Sequence, residues 1–151
     1  QKKYRISNKD DFKSLLNKSY LECPKLLYKS IKQIQSNKYK SIPQIKFSKS
    51  FSYFSKRKSG DEIINLKHPA SDIANFVRAL VEPGPLARVK LKSNLIYIKK
   101  VTVINKERCL PPNTLMFKKN NIYFQAGDKK TVRVDRWLSK KKIINKKLIK
   151  L

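Results

Sequence analysis

The chain predicts a mainly β fold with appended helices, a small antiparallel β-barrel preceded by a helical and extended segment. Two observations carry this expectation. Apolar residues recur at helical spacing up to Leu80 and alternate with polar ones from Val89 onward, and the change of period marks a change from helix to strand. The alternating stretches are short and separated by regular turn signals. Closure of such strands removes sheet edges that would otherwise pair with other chains.

From Asp10 to about Lys38, Phe12, Leu15 and Leu16 share one face. The pattern breaks near Cys23-Pro24 and resumes with Leu27, Ile31 and Ile34. Two short amphipathic helices are expected, because proline removes a helical N–H and clashes with the preceding turn. Residues 39–60 are rich in Ser and Lys, contain Pro43, and hold Phe47, Phe51, Tyr53 and Phe54 without one clear period. They read as an extended linker, partly packed. From Pro69 to Val81, Ile73, Phe76, Val77 and Leu80 form a clean helical stripe that Ser71 or Asp72 can cap, and Pro83-Gly84-Pro85 ends it.

Val89 and Leu91 then alternate with Arg88, Lys90 and Lys92, followed by Ile96 and Ile98, then Val101 and Val103. These are strands with one wet face. Pro111-Pro112-Asn113 marks a turn, Thr114 to Phe117 a strand, Lys118 to Asn121 a tight basic turn, Ile122 to Gln125 a strand and Gly127-Asp128 a turn, before Val132 and Val134 alternate with Thr131, Arg133 and Asp135. The tail from Lys140 onward, almost entirely Lys, Ile, Asn and Leu, reads as a frayed basic helix. The organisation is a helical segment and basic linker over residues 1–60, then a barrel domain with a basic tail over 61–151.

Lys and Arg total 37 against 10 Asp and Glu in 151 residues, a formal charge of +27. Solubility does not require this, so a polyanionic partner is the leading physical explanation and nucleic acid the commonest one. A compositional bias that places Lys at any solvated position is the alternative. Because apolar residues on the strands must point inward, the charges fall on the outer face and turns. Arg88, Lys90 and Lys92 form a row. Lys118, Lys119, Lys129, Lys130, Lys140, Lys141 and Lys142 occupy strand ends where they could converge on a phosphate backbone, with Arg133 between them. Lys56, Arg57 and Lys58 lie beside Tyr53 and Phe54. That pairing suits phosphate contact plus base stacking on single-stranded RNA, while packing of the aromatics onto the domain is the simpler role. Arg78 is expected to be a structural ion-pair or capping residue at the helix–barrel junction.

Catalytic and metal residues are not expected. Asp10-Asp11 and Asp61-Glu62 are adjacent pairs near a helix start and a turn, where capping accounts for them. His68 reads as a surface or capping residue before Pro69. Cys23 and Cys109 are far apart and suggest neither a metal site nor a disulfide framework. The three glycines form no phosphate loop. No apolar run nears the ~20 residues of a spanning helix, and Gln1 to Arg5 lack a signal peptide's apolar stretch. The expectation is a protein of the cytoplasm or an organellar matrix, without membrane partners.

Several strings resemble the region that follows the catalytic domain in folate-dependent formyltransferases, above all the methionyl-tRNA formyltransferases. Asp11-Phe12-Lys13-Ser14-Leu15-Leu16, Pro43-Gln44 and Tyr53 through Ile64 are similar to successive family strings. The most specific is Asp72-Ile73-Ala74-Asn75-Phe76-Val77-Arg78-Ala79-Leu80, followed by Pro83-Gly84-Pro85-Leu86-Ala87. Pro111-Pro112-Asn113-Thr114, Ile122 through Asp128 and Trp137 through Lys142 continue the series. The resemblance implies an oligonucleotide-binding-like barrel that helps hold initiator tRNA. It also implies a catalytic formyltransferase domain in the same or a separate chain, to which the cofactor 10-formyltetrahydrofolate would belong. Tyr53 through Ile64 is also similar to sugar N-formyltransferases, whose nucleotide-sugar substrate would not call for such charge. A basic ribosome-associated RNA-binding subunit using the same fold is the remaining alternative.

Overall fold

The computed structural model describes residues 1–46, 52–91, 94–107, 110–139 and 148–150. Helix α1, Phe12–Gln35, opens with a reciprocal cap: the Ser14 N–H donates to Asp11 Oδ1 (2.8 Å) and the Asp11 N–H donates to Ser14 Oγ (3.0 Å). It runs unbroken through Pro24, so the expected pair of helices is one. Pro24 lies on the exposed side, where the Tyr20 carbonyl that loses its helical donor can turn to water. None of its residues is buried. One short helical turn, Gln44–Lys46, follows.

Helix α2, Ala70–Ala79, carries the expected stripe: Ile73 and Val77 are buried on it, Leu80 is buried just past its end, and Phe76 packs beside them. Its cap is not Ser71 or Asp72. Pro69 holds the capping position without a side-chain bond, and the Ala70 N–H donates instead to Asp128 Oδ1 at 3.1 Å. The helix start is thus satisfied from the barrel, which no local pattern reveals.

The strands are β1 (Ala87–Leu91), β2 (Asn94–Glu107), β3 (Thr114–Lys118), β4 (Asn121–Gln125), β5 (Lys130–Ser139) and β6 (Leu148–Lys150). They form an antiparallel sheet in the order β1-β2-β5-β4-β3-β6. The sheet curls into a half-barrel whose inner face meets α2, the mainly β architecture expected. Among the described residues no ladder joins β1 to β6. The outer edge of β1 is covered instead by residues 62–64, where Ile63 bridges Arg88 and backbone bonds of 2.8 Å link Glu62 and Ile64 to Arg88. The end of the tail is strand β6 paired to β3 rather than helix, because Ile149 packs against the core there.

Burial follows alternation: Val89 and Leu91, Ile96 and Ile98, Ile122 and Phe124, and Val132 and Val134 all face the core. Near the middle of the β2–β5 pair the alternation slips on each strand, and the register shifts again on β2 between Ile104 and Glu107. Ile98 pairs with Trp137, Lys100 with Arg136 and Val101 with Val134, so Lys99 on β2 and Asp135 on β5 are extra residues of a double bulge. Trp137 therefore returns to the inner side, where it meets the edge of Phe117 at 6.1 Å between centroids and donates its Nε1–H to the Asn120 carbonyl at 3.1 Å. This bond pins the β3–β4 turn, in which Lys119 and Asn120 both have positive φ, 46° and 61°. Positive φ at both central residues matches the twist of a two-residue hairpin.

Candidate nucleic-acid interface

The strand cations reach the outer face, but they are not equally available. The Arg88 guanidinium stacks over the Tyr97 ring, 5.1 Å from its centroid, and donates from Nη2 to the Pro85 carbonyl at 3.3 Å. Its Nε is buried without a protein partner. Arg88 is thus a half-buried packing residue at the covered edge of β1, and Lys90 is the exposed cation of that row. Lys92 and Lys140, Lys141 and Lys142 lie outside the described residues.

Arg133 lies between Thr102 and Tyr123 across the sheet. Its Nε donates to Asp135 Oδ1 at 2.6 Å, and the Thr102 hydroxyl donates to Asp135 Oδ2, also at 2.6 Å. One carboxylate therefore fixes the guanidinium and offsets its charge. A phosphate at this point would compete with Asp135 rather than meet a bare cation.

Lys118 and Lys119 are brought together at the β3–β4 turn, and Lys129 and Lys130 at the β4–β5 turn. The two pairs do not converge. Consecutive turns of a meander lie at opposite ends of the shared strand, and β4 separates them by about 15 Å at the rise of an extended chain. Lys130 also pairs with Asp128 at 3.6 Å, and Asp128 accepts the α2 bond. Burial tends to raise the Asp128 carboxyl, but the bonds from Ala70 and Lys130 outweigh it and hold it below its ordinary value. This turn is thus structural at its carboxylate and basic at its exposed Lys129.

Lys56, Arg57 and Lys58 are exposed on a run that is neither helix nor strand. Tyr53 is 94% and Phe54 85% exposed, so neither packs onto the domain as the simpler role required. Phe47 and Phe51 are outside the described residues. The exposed rings leave two faces beside three cations, the combination that stacks bases and neutralises phosphates.

The carboxylate pairs and Arg78 are structural. Asp11 caps α1, and Asp10 accepts from Lys18 Nζ at 2.6 Å. Asp61 and Glu62 accept backbone N–H groups of Lys58 and Gly60 in a turn. Arg78 binds the carbonyls of Ser7, Asn8 and Asp10, so its partner is the N-terminal segment rather than the barrel. The His68 carbonyl accepts from the Gly127 N–H at 2.9 Å. Among the described residues no cluster of three or more His, Cys, Asp or Glu could hold a metal ion, and no helix is long and apolar enough to cross a membrane.

Two cations escaped the reading of the sequence. Lys100 and Arg136 face each other across the double bulge. Strict alternation would send both to the core face, and only the spacing of Ile98 to Val101 and of Val134 to Trp137, three residues in each case, hints at the slip.

Comparison with known proteins supplies the family. Residues 56–149 match the family described as formyl transferase, C-terminal domain. Over 76 residues the chain is 37% identical to a methionyl-tRNA formyltransferase of Coprothermobacter proteolyticus, a match that covers 50% of this chain and 24% of that relative. The chain thus spans only about a quarter of that relative's length. With the family match running from the basic linker into β6, the chain belongs to the formyl transferase C-terminal domain family.

Proposed function

We propose that this chain is the tRNA-binding C-terminal part of a methionyl-tRNA formyltransferase, orienting initiator tRNA for N-formylation by a catalytic domain carried elsewhere in the same or a separate chain. In this reading the formyl donor, 10-formyltetrahydrofolate, belongs to that catalytic domain. The observation that supports it best is the run of exposed Tyr53 and Phe54 beside Lys56, Arg57 and Lys58 at the entrance to the family-matched region. Stacking holds bases without sequence preference while cations release counterions from phosphates, so an acceptor end can be positioned without being read. The bare apolar surface of α1, with Tyr20, Leu21, Leu27 and Tyr28 all well exposed, agrees with a further domain packing beside this one.

Binding of the chain to deacylated initiator tRNA, elongator tRNA and heparin across a salt series tests the reading. Tight tRNA binding that falls steeply with salt and exceeds heparin is expected. Y53A/F54A should weaken tRNA binding by about 5- to 100-fold, the value of one stacked base. Indifference between tRNA and heparin would reduce the charge to composition and end the assignment.

A further inference from the structure

An excess of positive charge lies away from the linker, in a cleft of about 590 Å³ between the N-terminal segment, α2 and the double bulge. We infer that this cleft is a phosphate-binding site seating a stretch of RNA backbone, with Lys100 and Arg136 on one wall and Lys9 and Lys13 on the other. The inference rests on the tRNA-binding reading and gives it a second contact region.

The walls are built rather than accidental. Arg78 Nη1 donates to the carbonyls of Ser7 (3.2 Å), Asn8 (2.7 Å) and Asp10 (3.0 Å), while Nη2 donates to Asn75 Oδ1 at 2.6 Å. This clamp ties residues 7–10 to α2 and sets Lys9 and Lys13 at the rim. On the facing wall the extra residues Lys99 and Asp135 rotate β2 and β5 so that Lys100 and Arg136 stand opposite each other and exposed. Like charges directly across a ladder repel, so this pair opposes folding unless something anionic lies against it.

The carboxylates of the cleft do not supply that anion. Asp11 is committed to the α1 cap, and Glu82 is held by Lys99 at 2.8 Å. Among the described residues Lys9, Lys13, Lys100 and Arg136 have no carboxylate within ion-pair distance. Lys13 reaches Glu82 only through the longer-range field that helps lower the Glu82 carboxyl. A guanidinium fork flanked by flexible ammonium groups suits phosphodiester oxygens.

The test measures affinity for an initiator tRNA transcript across a salt series, using the full chain. The double variant K100Q/R136Q is compared with K29Q/K38Q, which removes equal charge from the far part of α1 and the segment after it. The cleft variant should lose about tenfold or more at moderate salt and flatten the log-affinity against log-salt slope by about 1 to 2. The control should change less than about twofold, and K100R/R136K should restore binding. If K100Q/R136Q loses its cooperative thermal transition, K9Q/K13Q takes its place, since neither residue touches the core. Equal binding by cleft and control variants, while wild type still prefers tRNA to heparin, overturns the cleft alone. Loss of that preference in wild type overturns both the cleft and the reading it rests on.

Discussion

At the residue scale, the junction of α2 and the β4–β5 turn rests on Gly127. A Cβ built there would lie 1.8 Å from the Lys67 carbonyl oxygen, and that oxygen belongs to backbone that cannot rotate away. Its N–H also donates to the His68 carbonyl. Gly127→Ala must therefore separate the turn from the segment before α2, breaking this bond and displacing the neighbouring Asp128 cap. It should cost on the order of 3 kcal/mol, read as a lower midpoint in urea with little change in slope. Asp10 supports a different prediction. Lys18, then the N–H and hydroxyl of Ser7 and the hydroxyl of Ser14, hold its carboxyl well below the ordinary 3.8 against the opposing effect of burial. A carboxyl depressed on folding contributes stability above its unfolded value, and that contribution fades as pH falls through 3.8 toward the folded value. Hydrogen-exchange protection at the start of α1 should accordingly decline below about pH 4 in the wild type. Asp10→Asn should show weaker protection at neutral pH and lose the acid dependence; an unchanged acid profile in that variant would remove Asp10 as its source.

At the element scale, α1 and the β2–β5 pair show where sequence patterning succeeds and where it fails. The apolar periods located both helices and the short strands, because burial on one face requires those periods whatever surrounds them. Patterning misplaced the break at Pro24, since the cost of an interior proline is one missing bond and a local distortion, which a helix otherwise well capped can absorb. It missed the Asp128 cap because the partner is 58 residues from Ala70. It treated Arg88 as a free cation because a stacked guanidinium and a solvated one have the same place in the alternation. It could not decide whether Tyr53 and Phe54 pack or stand exposed, as a stretch without period carries no direction. The continuity of α1 makes a prediction. Pro24→Ala restores the donor to the Tyr20 carbonyl at an exposed position and removes a residue about 3 kcal/mol worse than alanine within a helix. Far-UV circular dichroism should show increased helix content and a higher midpoint for the helical signal; no gain would mean that the helix does not run through residue 24 in solution.

At the scale of the whole molecule, buried side chains and binding surface divide along the chain. The core cluster begins at Ile64, and no residue of α1 enters it. The first residues touch the body chiefly through the Arg78 clamp and the rim of the cleft. Residues before the linker should therefore add little to the cooperative stability of the sheet, which comes from packing between α2 and the inner strand faces. The same residues supply one wall of the basic cleft, so their removal should separate stability from binding. A chain starting at residue 52 keeps Tyr53, Phe54, Lys56, Arg57 and Lys58 but lacks Lys9, Lys13 and the clamped segment. It should melt in a single transition within a few degrees of the full chain, with a well-dispersed amide spectrum, because none of the residues removed belongs to the core cluster. Its tRNA affinity should fall by about tenfold at moderate salt, with a flatter salt dependence from the missing cations. Loss of the cooperative transition would show that the N-terminal segment completes the fold. Full affinity in a folded truncation would place the RNA entirely on the linker and sheet.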